Sequence, residues 1–326
     1  AALCDSSKIK LDNAQILIKE ELLKNKLEII KPKVFEKYEE LLLEYSKRKI
    51  DIDLVVLATP SGLHHSQTIK AAELGINVCT EKPMALNVKD AEMMINICKK
   101  NKVHLFVVKQ NRLNPTLQDL RRKVKNNMFG EIALVVINVF WQRTQEYYDQ
   151  DDWRGTKKYD GGALMNQAIH YVDLLEWLIG PVQNISAFTS TRKRKIETED
   201  TAVLSIKWES GTLGSMNVTM LTYPKNIEGS ITVIGDKGSA KVGGIALNKY
   251  EFFHFDKKIK ESEISDLNYE TKNVYGEGHL KYYENMLDVL NGKGKAICSG
   301  EDALSSIKII CSAYDSNTER KVIDST

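Results

Sequence analysis

Apolar residues in the first third of the chain come in short unbroken runs, AALC, DLVVLATP, INVCT and VHLFVV. Runs of about 4–8 apolar residues bounded by turn residues read as strands buried on both faces. Between them lie a lysine- and glutamate-rich helix, a helix over 64–74 and a helix over 88–100. Strand and helix alternate strictly, which predicts parallel βαβ units in a Rossmann-like sheet covered on both sides.

After Arg112 the pattern changes. A helix over 116–126, closed by Gly130, leads into IALVVINVFWQ; NISAFTST, TAVLSIKWES, GTLGSMNVTM, GSITVIGDKGSAKV and YEFFHF follow, parted by Gly, Asp and Asn turns. These predict a largely antiparallel sheet. A helix over 166–178 interrupts it early, and helices over 279–290 and 302–317 close the chain. The predicted class is α/β: a Rossmann-like parallel sheet over 1–112, then an α+β domain over 113–326 with a large, mostly antiparallel open sheet. Each is long enough for its own core.

Composition narrows the function. The 326 residues are 42% hydrophobic and 28% charged with a net charge of +2, as in a soluble globular protein and without the basic excess that nucleic acid attracts. No apolar run approaches the roughly 18 residues of a membrane span, and AALCDSS lacks the flank and length of a signal peptide. Five widely spaced cysteines, mostly in apolar contexts, predict a reducing, cytoplasmic setting. No Cys-x-x-Cys, His-Glu-x-x-His, Gly-x-Ser-x-Gly or Walker loop occurs, and the six histidines show no metal-ligand spacing.

Candidate chemistry gathers where predicted strands end. NVCTEKPMALN puts Lys82 just past a strand, at the edge where open α/β sheets bind ligands. The turn Thr59-Pro60-Ser61-Gly62 follows another strand, and His64 stands near the N-terminus of the next helix, a ready anion site. This turn borders a dinucleotide or is a plain strand-to-helix loop. In NQAIHYVDLL the spacing sets Asn166, His170 and Asp173 on one helical face.

These segments, with KQNRLNP, DWRGTKKYDGGALMNQAIHYVDLLEWLIG and SGEDALSSIKIICSAYDSNTERKVI, resemble in order and spacing the glucose-fructose oxidoreductase, inositol dehydrogenase and MocA family over nearly the whole chain. WQRTQEYYDQDDWRGT followed by ALMNQAIH is most similar to the branch that acts in surface-polysaccharide biosynthesis. That branch uses NAD to oxidise the 3-hydroxyl of UDP-linked N-acetylated amino-sugar uronic acids; the alternatives are a dehydrogenase of another sugar or cyclitol and a non-catalytic relative that binds a sugar or dinucleotide. The resemblance implies that Lys82 touches the nicotinamide ribose and the reacting hydroxyl, steadying the developing alkoxide, and that His170 accepts the proton, titrating between about pH 6 and 8. It implies cofactor contacts from Asp5, Thr59, Pro60, Ser61, His64, Glu81, Gln110 and Arg112. It also implies a homodimer or homotetramer assembled through the open sheet. Arg143 and Arg154 could pair with diphosphate or uronate oxygens and Tyr147 and Tyr148 could cover a ring, unless Arg143 merely points outward. Trp153 reads as packing and the KRK of TSTRKRKIETED as a solvated hairpin tip.

Two departures stand out. The commoner family pattern has an aspartate where this chain has Asn166, an amide that orients substrate but carries no proton away. Nor does a Gly-x-Gly-x-x-Gly turn precede Ala1, although Asp5 sits where the acidic residue that binds the adenosine ribose is expected. The expectation is a partial chain lacking the first strand and glycine turn, with two open sheet edges. Taken alone, such a chain is expected to be inactive and not to bind NAD measurably.

Overall fold

The computed structural model describes residues 1–271 and 273–325; Lys272 and Thr326, both in the second predicted segment, lie outside them. β1 (Ala2–Cys4) pairs in parallel with β2 (Lys33–Phe35). β3 (Leu54–Leu57), β4 (Asn77–Thr80) and β5 (Leu105–Val107) form a second parallel sheet. The connecting helices are α1 (Lys8–Lys24), α2 (Tyr38–Ser46), α3 (Ser61–Glu73) and α4 (Val88–Lys100). Asn87 starts α4 by accepting the N–H of Asp90 at 2.8 Å, which satisfies one of the free amides of the first turn. The parallel layer is thus in two pieces. β1 and β3 each lie at an edge of their sheet, and both line one cavity.

The lysine-rich stretch is two helices and a strand rather than a single helix. Pro32 lacks an N–H and turns Lys31 away from helical backbone, so the chain enters β2 with only Val34 and Phe35 apolar. Two apolar residues are too few to register as a strand in the sequence.

A 3-10 turn (Gln110–Leu113), α5 (Pro115–Lys125), β6 (Ile132–Phe140) and α6 (Gln145–Asp149) follow. A π turn (Ala163–Gln167) then runs into α7 (Ile169–Ile179). The remaining strands are β7 (Val182–Ser190), β8 (Thr201–Trp208), β9 (Leu213–Thr219), β10 (Glu228–Gly235), β11 (Gly238–Gly243), β12 (Lys249–Phe255) and β13 (Ile323–Asp324). They join β6 in one eight-stranded sheet, ordered β12-β11-β10-β6-β9-β8-β7-β13, in which only β6 and β9 run parallel. Alternation along β8 is regular: Ala202, Leu204, Ile206 and Trp208 face inward, Val203, Ser205 and Lys207 outward. The Trp208 indole donates to the Leu175 carbonyl at 3.3 Å, tying α7 to the inner face.

Two separate cores were expected, but one hydrophobic cluster runs from Val78 and Met94 through Leu117 to Ile185 and Ile307. The cause is the return of α10 (Gly300–Glu319), whose Ala303, Ile307 and Ile310 join that cluster, while α9 (Gly278–Leu290) closes a second, smaller cluster on the parallel layer. Tyr282, Met286 and Val289 of α9 pack on Cys79, Phe106 and Val108, and the Tyr282 hydroxyl donates to the Val107 carbonyl at 2.6 Å. A strand buried on both faces needs a second cover, and the far end of the chain supplies it.

Candidate active site

At the end of β4 the Glu81 N–H donates to the Leu57 carbonyl at 2.8 Å, prolonging the sheet to the residue before Lys82. The Lys82–Pro83 peptide is cis. The His64 ring is buried between the Pro83 carbonyl at 2.8 Å and the Thr59 carbonyl at 2.9 Å, so it clamps the two turns together. It does not line the cavity, which corrects its assignment as a cofactor contact. Gly62 permits a close approach, since a Cβ there would overlap the Lys158 carbonyl. Its N–H donates to the Tyr159 carbonyl at 3.1 Å and seats α3 against the loop that leads to the π turn.

Lys82 crosses the boundary between the halves. Its Nζ donates to the Asn166 carbonyl at 2.9 Å and lies 3.4 Å from Asn166 Oδ1. Both contacts depend on the π turn, in which the Ala168 N–H reaches the Ala163 carbonyl at 2.8 Å, five residues back. π turns of this kind recur at functional sites. Asn166 was expected on a plain α-helix with His170 and Asp173; the π turn instead presents Asn166 and His170 to the cavity and leaves Asp173 outside its lining. Burial pulls Lys82 down to about 8, aided by Lys109 and Arg143 and opposed by Glu81 and Asp160.

The turn is held from beneath by two buried carboxylates that sequence reasoning missed. Asp160 accepts from Asn166 Nδ2 and from the Gly155 N–H, the latter at 2.6 Å. Glu199 accepts the Leu164 N–H at 2.8 Å and the Tyr314 hydroxyl at 3.0 Å, both on Oε1. Gly162, at φ +112°, leaves room for that carboxylate, which a Cβ would overlap. The paired glycines after Asp160 were the available sequence signal.

His170 is buried, with Nε2 3.4 Å from the Gln110 amide nitrogen. Its Nδ1 and the Gln110 carbonyl oxygen have no partner among the described residues. Burial, with Lys82 and Lys109 close, holds the imidazole well below its ordinary range. It is therefore neutral across pH 6–8 rather than titrating there. Arg112 also departs from expectation: it forks onto Asp173 with two contacts of 2.8 Å, caps the Ile297 carbonyl at 3.1 Å and does not line the cavity. Lys109 Nζ adds a third cationic contact to Asp173 at 3.7 Å.

The cavity, of about 2130 Å³, runs from Cys4 and Asp5 at the end of β1, past Thr59, Pro60, Ser61, Glu81 and Lys82, to Gln110 and His170. On its other wall Arg143 Nε donates to Gln167 Oε1 at 2.9 Å. The Tyr147 hydroxyl accepts from Arg154 at 2.8 Å and from Gln167 at 3.0 Å. Tyr148 packs edge-on against Tyr147 outside the lining, which corrects its reading as a ring cover. Arg154 pairs with Asp151 at 3.0 Å, and Asp151 reaches Lys10 of α1 at 3.8 Å, so this arginine stands on the side of the parallel layer. TRKRK is more than a solvated tip: the N–H groups of Arg192, Lys193 and Arg194 all donate to the buried Asp200. A dinucleotide fits the strand-end arm through the Asp5 carboxylate, the start of α3 at Ser61, which lines the cavity, and the unpartnered Gln110 oxygen. Among the described residues no group of three or more His, Cys, Asp or Glu could hold a metal, and no helix is long and apolar enough to cross a membrane.

A parallel α/β layer joined to a broad, mostly antiparallel sheet, with Lys82 and His170 in the cleft between them, is the build of a two-part dinucleotide-binding oxidoreductase. The chain belongs to the Gfo/Idh/MocA oxidoreductase family: the NAD-binding Rossmann fold of that family matches residues 15–109 and its C-terminal α/β domain matches residues 121–324. Among solved structures, the WlbA dehydrogenase from Bordetella pertussis in complex with NADH and UDP-GlcNAcA is 42% identical, with a TM-score of 0.91 over 99% of this chain and 89% of that one. The WlbA dehydrogenase from Chromobacterium violaceum, in complex with the same two ligands, is 43% identical, with a TM-score of 0.85 over 98% and 86%. An uncharacterised oxidoreductase of Synechocystis sp. is 24% identical over 61% of this chain, and the match spans only 57% of that relative's length.

Glu199 generates a test. Burial raises its carboxyl to about 7, above the ordinary value of about 4.3. The folded state therefore keeps this proton to higher pH than the unfolded state, and its burden on stability appears as pH rises through about 4 to 7. Glu199→Gln preserves the acceptor on Oε1 and removes the titration. Its stability relative to the parent should rise by on the order of 3 kcal/mol between pH 4 and 8, measured by urea unfolding. A difference that stays constant with pH would contradict the assignment.

Proposed function

We propose that the protein is an NAD-dependent dehydrogenase that oxidises the 3-hydroxyl of a UDP-linked N-acetylated amino-sugar uronic acid in surface-polysaccharide biosynthesis. Residues 1–112 serve the cofactor and 113–326 the substrate. The observation that carries this reading is the meeting of Lys82, Asn166 and His170 in the cavity onto which the parallel strands open. The two WlbA dehydrogenases, at 42% and 43% identity and solved with NADH and UDP-GlcNAcA, support the substrate class.

Asp5 at the end of β1, the Thr59–Ser61 turn, Glu81 and Gln110 would hold NAD, which when bound supplies the hydride acceptor. Oxidation also needs a proton acceptor. The sequence reading gave that task to His170, but an imidazole held so low is a weak base. Lys82 is better placed. Two of its nitrogen's positions face the Asn166 oxygens, as the two N–H groups of a neutral amine would, and the third is left to the cavity. With a pKa of about 8, it takes the hydroxyl proton near neutral pH, while neutral His170 orients the hydroxyl. Arg143, Arg154, Tyr147 and Gln167 form the polar wall facing the remaining substrate oxygens.

Self-association follows from the outer face of the large sheet. Leu213, Leu134 and Ile234 lie side by side across β9, β6 and β10, and Phe188 lies opposite Val203; all five are exposed. Apolar rows around a polar band of Asn138 and Asn217 suit a second copy of the same sheet.

Two measurements test these statements. In the full chain, the rate of oxidation of the UDP-linked uronic acid should rise with pH through about 8. Lys82→Met should lower it by about 10³-fold or more with NAD still bound, whereas His170→Ala should slow the reaction yet keep the rise. A pH rise that survives Lys82→Met, or disappears in His170→Ala, would return the proton to another base. Light scattering should give a dimer or tetramer that Phe188→Glu combined with Val203→Glu breaks apart; an unchanged mass would exclude this face.

A further inference from the structure

Asn166 stands where the commoner family pattern has an aspartate, so Lys82 faces two neutral oxygens rather than a carboxylate. Yet a carboxylate lies directly behind. Asp160 Oδ1 accepts from Asn166 Nδ2, and Asp160 Oδ2 is occupied by the Gly155 N–H at 2.6 Å. The Asp160 side chain is almost wholly buried, and its two oxygens are held by donors of the chain itself. An amide has one donor end and one acceptor end. A carboxylate accepts only, so it holds the NH2 end of Asn166 toward itself and turns Oδ1 toward Lys82 and Gln167 Nε2, which is 3.2 Å away. Without that anchor, the NH2 end could turn to Lys82, where it would set donor against donor.

We propose that Asp160 is a positioning residue for Lys82, acting through the Asn166 amide: it fixes the acceptor end of Asn166 on the lysine and supplies the negative charge that residue 166 lacks. This rests on the reading of Lys82 as the proton acceptor. The relay runs Asp160 carboxylate, Asn166 amide, Lys82 nitrogen, and ends at the cavity. Burial of an amine in a poorly solvated site lowers its basicity, and a carboxylate one side chain away restores part of it without forming the direct ion pair that would lock the proton on. The other charged groups that face Lys82 are Glu81, Lys109 and Arg143, with His64 and His170 also near. Those that face Asp160 are Lys82, Arg154 and Glu199, with Tyr148 beside it.

Removal and transposition of the carboxylate provide the test. In the full chain, Asp160→Asn should move the pH-dependent rise in kcat to lower pH by about half a unit or more. It should lower the plateau about tenfold, as expected for a weaker, less well oriented base, while KM for NAD changes less than about threefold. Asp160→Asn combined with Asn166→Asp moves the negative charge onto residue 166. The rise should then pass above the parental position, because the carboxylate now faces Lys82 directly. The transposed pair retains a hydrogen-bonding side chain at each position, so it serves as the decisive variant if Asp160→Asn alone fails to fold, as a thermal melt would report. A rise left in place by Asp160→Asn, or by the transposed pair, overturns the proposal. Failure of the underlying reading looks different: the rise would then survive Lys82→Met, whatever happens at Asp160.

Discussion

The hydrogen bond from Lys82 to the backbone carbonyl of Asn166 is the contact on which the site depends. One partner ends a parallel strand and the other sits in a π turn 84 residues later, so the bond exists only when the two halves are docked. Docking in turn requires α10 to join the apolar faces of the two sheets in one core and α9 to cover the parallel layer with a second, smaller cluster. The His64 clamp on Thr59 and Pro83 fixes the strand ends locally. Gly62 lets α3 close on the loop before the π turn. A lysine has the rotamer freedom to point elsewhere; these constraints leave its nitrogen at the cleft.

Charge placement around that bond follows one logic. A buried cation needs a partner, and a cation required to give up its proton must not have too good a one. Arg112 and Lys109 share Asp173 at short range: its carboxylate holds the Arg112 guanidinium charged, whereas burial pulls Lys109 down. Among the described residues Lys82 has no such direct carboxylate partner. Its carboxylates are Glu81, in the same turn, and Asp160, one amide removed. Glu199 lies farther out, where it closes the start of the π turn. Direct pairing thus separates Arg112 and Lys109, held on Asp173, from Lys82, whose carboxylates stand back from its nitrogen.

Much of this architecture was legible in the sequence because its elements are long or strongly patterned. The helix over 88–100 and the strands from Ile132 to Phe255 announced themselves by apolar period and turn residues. β2 did not, because two apolar residues carry no period, and the merged core did not, because no local pattern reveals which helix covers which face. At the site, Lys82, Asn166 and His170 could be picked out by motif. Arg112 and His64 could be picked out equally well, yet both are engaged by neighbours far along the chain or by backbone carbonyls, contacts that only the fold creates. Asp160 escaped notice for the same reason. Its partner, Asn166, sits six residues on, at a spacing that suggests no shared face in a regular helix, and the Gly161–Gly162 bend and π turn bring the two together.

Hydride removal from the sugar carbon, with the proton leaving through Lys82, is the central claim, and an isotope label tests its core directly. The full chain would be incubated with NAD and UDP-N-acetyl-2-amino-2-deoxy-D-glucuronate carrying deuterium at C3, and the reduced cofactor analysed by mass spectrometry. The account predicts NADH heavier by one mass unit, formed together with a 3-keto sugar nucleotide. Unlabelled NADH, or no reduced cofactor from this substrate class, would contradict it.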